Sequence, residues 1–170
     1  MQSQNHDLQV SLGYYGDVFF IPGFKMGIEK SVLSWVKTKP NKTKFKSIRI
    51  GADFIYYRNK DHHHGLILAP SISYKRIREN GKFIQFKLSP GLHRSFVDGL
   101  TYEVENARLI KQKMGVGQNS FFGSVSIIGG RRLNDRISYY IEFGLNGRYP
   151  FNNALYKGMH TSLGLQYSLN

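Results

Sequence analysis

The feature that most constrains this chain is a two-residue alternation of apolar and polar side chains, sustained in one segment after another. Leu8, Val10, Leu12 and Tyr14 share one face, and Gln9, Ser11 and Gly13 the other. A period of two belongs to an extended strand with one apolar side, because successive side chains of a pleated strand point to opposite faces. Seven further segments read the same way. Phe24, Met26 and Ile28 oppose Lys25, Gly27 and Glu29, with a slip near Lys30–Ser31 that predicts a bulge. Ile48, Ile50, Ala52, Phe54 and Tyr56 oppose Ser47, Arg49, Gly51 and Asp53. Leu66, Leu68, Ile72 and Tyr74 oppose Ala69, Ser71, Ser73 and Lys75, and Pro70 predicts a disturbed ladder there. Ile84, Phe86, Leu88 and Leu92 oppose Gln85, Lys87, Ser89, Gly91 and His93. The last three segments centre on Val125, Ile141 and Leu165.

The punctuation fits eight antiparallel strands of about 9–14 residues. Asn80-Gly81 predicts a type I′ hairpin turn, since both central positions of that turn need residues tolerant of positive φ. Leu133-Asn134-Asp135 predicts a second tight turn. Long connections are expected after Gly16, Val97 and Pro150, and a longer basic turn over Lys37–Lys46. The connection from Val97 to Asn119 holds a small hairpin, Thr101 to Val104, turning near Glu105-Asn106. No helix is expected. The 170 residues form one domain, read as 1–170, and the absence of cysteine excludes disulfides and thiolate metal sites.

Alternation alone does not say which face is inside. A soluble lipocalin-like barrel or sandwich turns its apolar face inward, and a membrane barrel turns it outward. Four features favour outward. The apolar face persists for four or five positions per strand, enough for a band about 25 Å tall. The polar face carries charges of both signs, among them Arg49, Asp53, Lys75, Lys87, Glu142 and Arg148, which can neutralise one another in a narrow lumen. Tyr14, Tyr56, Tyr74, Tyr149 and Tyr167 fall near strand ends, where interfacial girdles place amphipathic rings. Connection lengths alternate between tight and long. The expected fold is therefore an all-β, transmembrane, antiparallel up-and-down β-barrel of about eight strands. Met1 to Asp7 is polar, so an exported chain with this start has already lost its signal peptide.

Ser162-Leu163-Gly164-Leu165-Gln166-Tyr167-Ser168-Leu169 resembles the C-terminal β-signal of outer-membrane proteins, with Gly164, Tyr167 and Leu169 at the matching positions and Asn170 where many members end on an aromatic ring. The strand pattern as a whole resembles the OmpA/OmpX-like small barrels. The resemblance implies insertion by the barrel-assembly machinery and residence in the outer membrane of a gram-negative bacterium.

Three constellations are candidates for chemistry. His93 and Ser95 share one strand face, and Glu103 and Glu105 follow; a histidine that activates a serine, oriented by a carboxylate, is the requirement for acyl transfer. His-x-Ser resembles the PagL-type lipid A deacylases, which implies Ser95 as nucleophile, His93 as base and Glu105 as its partner. The chain departs from that family in carrying Phe96-Val97-Asp98 after the pair and in a shorter spacing to the glutamate. The bland reading is a pair of polar residues at the lumen's outer end. His62 and His64, two apart in an extended segment, are the only members of Asp61-His62-His63-His64 that converge on one metal; the bland reading is a polar loop tip. The charge, 24 Lys and Arg against 11 Asp and Glu, would suit nucleic acid, but the cluster Lys37–Arg49 has only Phe45 among its cations, without the interleaved aromatics that stack bases. Lipid headgroup and lipopolysaccharide phosphates are the expected partners, with no nucleic acid and no cofactor. The expected function is a non-enzymatic outer-membrane barrel with little pore activity, its long external loops carrying recognition. A lipid hydrolase using Ser95 and His93 is the alternative from another class.

Overall fold

In the computed structural model, eight strands close into one barrel. The structure describes residues 7–18, 20–39, 42–60, 63–97, 102–105, 108–111, 117–151 and 154–169. The barrel strands are β1 (Leu8–Asp17), β2 (Ile21–Lys39), β3 (Lys42–Asn59), β4 (His63–Arg78), β5 (Lys82–Val97), β8 (Gly117–Arg132), β9 (Ile137–Phe151) and β10 (Ala154–Ser168). Each pairs antiparallel with its neighbours in sequence, and β1 pairs with β10 to close the ring. Between β5 and β8 stands a separate two-stranded hairpin, β6 (Tyr102–Glu105) with β7 (Arg108–Lys111), where the sequence places one. An even strand count returns the chain to its starting side, so both termini lie at one end, joined there by Leu169 N–H donating to Leu8 O at 2.9 Å.

The apolar face points outward. Leu68, Phe86, Ile141 and Leu165 are about half exposed, whereas Lys25, Glu29, Arg49, Asp53, Lys87, Glu142 and Arg148 are all at most 6% exposed. A water-soluble barrel needs the reverse, so the lipocalin-like alternative fails on the facing of every strand. Tyr139 and Tyr149 bound the apolar band on β9. At about 3.3 Å per residue and a tilt near 40°, their ten-residue separation spans roughly 25 Å. Tyr14, Tyr56 and Tyr149 ring one end; Tyr74, Tyr167 and Trp35 ring the other, with Trp35 and Tyr74 in ring contact at 6.2 Å.

Several expectations need correction. Seven of the eight barrel strands are longer than 9–14 residues, reaching 19 in β2 and 18 in β3, and β1 alone, with 10, falls in that range. Alternation marks only the stretch that meets lipid; beyond it both faces are wet and pairing continues without a pattern. For that reason Lys37–Lys46 is no turn: β2 and β3 stay paired through Lys39↔Lys42 as a projecting hairpin. Gly16, Asp17, Pro22 and Gly23 belong to strands, and the connections at 18–20, 60–62 and 152–153 are short. Among the connections at the end opposite the termini, only 98–116 is long. Gly81 alone of the Asn80-Gly81 pair has positive φ (78°), and Gly81 N donates to Arg78 O. The turn is thus a three-residue loop closed by a left-handed glycine, not type I′. The bulge falls between Ser31 and Leu33, and the β4–β5 ladder lapses between Leu68↔Leu92 and Ile72↔Leu88, the stretch that holds Pro70 and Pro90. At the β8–β9 turn, Asn134 Oδ1 accepts from Arg136 N and Ile137 N, so that tight turn is an Asx arrangement.

Candidate functional site

The inward face holds a connected set of charged and polar groups. Arg49 on β3 reaches Asp7 Oδ2 (3.2 Å) and Glu29 (3.4 Å). Glu29 on β2 takes Lys87 Nζ at 2.8 Å and both amide contacts from Gln85 Nε2. Lys87 also binds Asp53 (2.9 Å), Asp53 binds Lys25 (3.2 Å), and Lys25 binds Glu142 Oε2 at 2.6 Å across the barrel. Glu142 faces His160 Nε2 at 3.5 Å. Toward the other end, Asn146 lies between His160 and Asp17, and Arg148 donates to Asp17 Oδ2 and Tyr57 Oη, both at 2.7 Å. Tyr57 Oη meets His93 Nε2 at 2.8 Å. The contacts run without a break from Asp7 at the terminal end to His93 at the far end.

Period two explains this set: each member sits at an odd or even position of its strand in phase with its neighbours, and closure brings opposite walls within reach of long side chains. All six residues expected in the lumen, Arg49, Asp53, Lys75, Lys87, Glu142 and Arg148, are buried there. Lys75 differs from the rest. Its ammonium donates to Gln9 Oε1 and Gln166 Oε1, and it stands 4.1 Å over the Phe83 ring. Among the described residues, five buried cations (Lys25, Arg49, Lys75, Lys87, Arg148) meet four buried carboxylates (Asp17, Glu29, Asp53, Glu142) and the partly exposed Asp7, so this ionic zone is balanced and the chain's excess of +13 lies outside it.

Two apolar clusters close on the charges. Tyr15, Ile55, Tyr57, Ile67, Ala69 and Phe122 pack at the far end, and Phe83, Ile128 and Tyr140 toward the termini. Sequence reading missed them, along with Asp17 and His160. The available signal was the loss of alternation: Phe54-Ile55-Tyr56-Tyr57 and Leu66-Ile67-Leu68-Ala69 are apolar on both faces, as segments buried on one side and in lipid on the other must be. Asp17 fell at the edge of a stretch read as loop and His160 between a loop and the last strand, assigned to neither, though they stand opposite each other in the β1–β10 ladder. Outside the ionic zone a vestibule of about 710 Å³ opens at the terminal end, walled by Val36, Phe45 and Ile77 and floored by Arg49 and Asp7.

The other candidates are placed as follows. His93 and Ser95 are both buried and inward. Ser95 Oγ donates to Gln118 O at 3.4 Å, and the His93 ring lies stacked on Tyr57, 5.9 Å between centroids. Glu105 pairs with Arg108 in the backbone of the β6–β7 hairpin, and its side chain lies outside the described residues, as do Asp61 and His62. His64 stacks its ring on Phe96 at 5.1 Å. Among the described residues no group of three metal-ligating side chains converges. Gly164 faces Gly13 across β10–β1, and Tyr167 and Leu169 are exposed on the outer wall.

No protein-family model matches the sequence, and no curated protein matches it. In three dimensions the chain is similar to Neisserial surface protein A, with a TM-score of 0.57 and 12% identity over 95% of this chain and 94% of that one. It is also similar to the outer membrane enzyme PagL, with a TM-score of 0.50 and 15% identity over 96% of this chain and 99% of that one. At such identities the likeness is one of architecture: the chain has the fold of the small, eight-stranded, up-and-down outer-membrane barrels.

Proposed function

We propose that this chain is a non-enzymatic integral barrel of a gram-negative outer membrane, its lumen closed by a neutral ionic plug and its recognition surface carried by the 98–116 connection. The observation that supports it most is the continuous run of contacts from Asp7 to His93 between two apolar clusters. Such a lumen is filled by its own side chains, as eight strands allow. Planar-bilayer recording of purified protein tests the reading: a large steady conductance would replace the plug with an open pore. Heating should also shift the protein's gel mobility in detergent, as closed barrels do on unfolding; no shift would count against the barrel reading.

A second reading, lipid hydrolysis through Ser95 and His93, draws on their shared strand face and on the architecture held in common with an outer membrane enzyme. Against it stand the inward facing of both side chains and the engagement of His93 Nε2 by Tyr57 rather than by Ser95. Release of fatty acid from lipid A by wild-type protein, lost in Ser95→Ala, would establish this second reading.

A further inference from the structure

The +13 excess outside the lumen is not spread evenly. At the terminal end, cations of the outer wall stand directly opposite one another across the ladders: Lys37↔Lys44 between β2 and β3, Lys44↔Arg78 and Lys46↔Arg76 between β3 and β4, and Lys82↔Arg131 between β5 and β8. Strand phase puts all of them on the outer face, continuing the faces of Trp35, Ile48, Tyr74, Ile84 and Ile127, with Lys46 and Arg78 at the rim also bordering the vestibule. Neighbouring strands are about 4.8 Å apart, and like charges directly opposite destabilise a sheet. A fold that repeats this arrangement at three of the four seams among five adjacent strands carries a standing repulsion, which an anionic ligand would relieve. Against these seven cations the described acids at this end are three: Asp7, which is taken by Arg49, Asp135, and Glu79, whose exposed carboxyl is held below the usual range by hydrogen bonds from Thr43 and so stays ionised. Around the rest of the ring the same level is apolar, with Ile137, Tyr139, Tyr167, Leu169, Leu8 and Val10.

We infer that the outer wall of β2–β5 and β8 at the terminal end is a binding site for the headgroup of an anionic glycerophospholipid. Position selects a lipid over a nucleic acid or an acidic protein. The cations lie immediately beyond the apolar band, and Trp35 stands opposite Lys46 and against Tyr74, at the boundary where acyl chains give way to headgroups. At Gly129, opposite Ile84 on the same wall, an added Cβ would meet nothing within 4 Å, which leaves room for a chain beside the headgroup. The Nε of Arg76 is screened from solvent and has no hydrogen-bond partner among the described residues. With the 98–116 connection on the outside, as its proposed recognition role requires, the terminal end faces the periplasm, so the lipid belongs to the inner leaflet, where phospholipids rather than lipopolysaccharide reside. The inference rests on the reading of the chain as a membrane barrel.

Trp35 is the only tryptophan in the chain, which makes it a built-in probe. Protein reconstituted in phosphatidylcholine vesicles is compared with either phosphatidylglycerol or phosphatidylcholine carrying brominated acyl chains as the minor component. The brominated anionic lipid should quench Trp35 with at least a roughly fivefold preference, the gain expected from one basic residue near an anionic surface. Lys46→Gln/Arg76→Gln/Arg131→Gln should bring that preference close to unity, and Arg58→Gln/Lys157→Gln at the opposite rim should keep it. If the triple variant fails to fold, the single exposed change Arg131→Gln should still lower the preference. Equal quenching of the wild type by both brominated lipids overturns the site while leaving the membrane barrel intact. No quenching by either overturns the membrane reading and the site with it. Relief of quenching by unlabelled lipid A at a lower fraction than by unlabelled phosphatidylglycerol overturns the assignment to a glycerophospholipid.

Discussion

Glu142 is the residue on which the interior most depends. It accepts Lys25 Nζ at 2.6 Å from the facing wall and borders His160, with 2% exposure. Breaking one side of a buried pair costs up to about 3–5 kcal/mol, and here it leaves Lys25, away from water, with Asp53 alone at 3.2 Å. Glu142→Gln should therefore lower the melting temperature in detergent clearly. Glu79→Gln should leave it nearly unchanged, because the amide oxygen can still accept from Thr43 N at an exposed turn. Equal shifts for the two variants would argue against an ionic lumen. A second residue-scale test concerns Val18, the only described non-glycine residue with positive φ (49°). A β-branched residue is strained there. Val18→Asn, which tolerates that region, should stabilise the barrel by about 1 kcal/mol in urea unfolding; no gain would mean the turn relaxes without it.

At the scale of the strand, what the sequence disclosed and what it hid have one cause. Alternation reports a difference between two environments. It was legible wherever lipid lay on one side and charged lumen on the other, as in Phe86-Lys87-Leu88. It vanished where the two sides became alike: at Phe54–Tyr57, with an apolar plug inside and lipid outside, and at Lys37–Lys46, with water on both. The lumenal residues were legible from phase alone, but their pairing across the barrel was not, since no local spacing relates Lys25 to Glu142 or Asp17 to Arg148. The facing itself can be tested on β9. Ile141→Arg places a guanidinium in the middle of the outward band and should cost roughly 2–4 kcal/mol in bilayers. Replacing residues 37–44 with Asn-Gly should leave the barrel folded by gel mobility, because that hairpin projects beyond the band and removes two like-charge cross-strand contacts, Lys37↔Lys44 and Lys44↔Arg78.

For the whole molecule the property that decides function is orientation. Eight strands put the termini, the cationic wall and the turns at 79–81 and 133–136 at one end, and place 18–20, 60–62, 98–116 and 152–153 at the other. Outer-membrane barrels keep short turns on the periplasmic side and put their longer loops outside. Here that asymmetry rests on one connection, since three of the four at the far end are as short as the turns opposite. The 98–116 connection is long enough to carry its own two-stranded hairpin, a sheet separate from the barrel's, and a connection of that length is a substrate for protease in a way that a three-residue turn is not. Protease added to intact cells should thus cut within 98–116 and spare Asn80-Gly81. Cells with a permeabilised outer membrane should add cleavage in the projecting hairpin near Lys39–Lys42, which reaches beyond the membrane at the other end. Cleavage of that hairpin in intact cells, with 98–116 left whole, would invert the barrel and move the cationic wall to the outer leaflet.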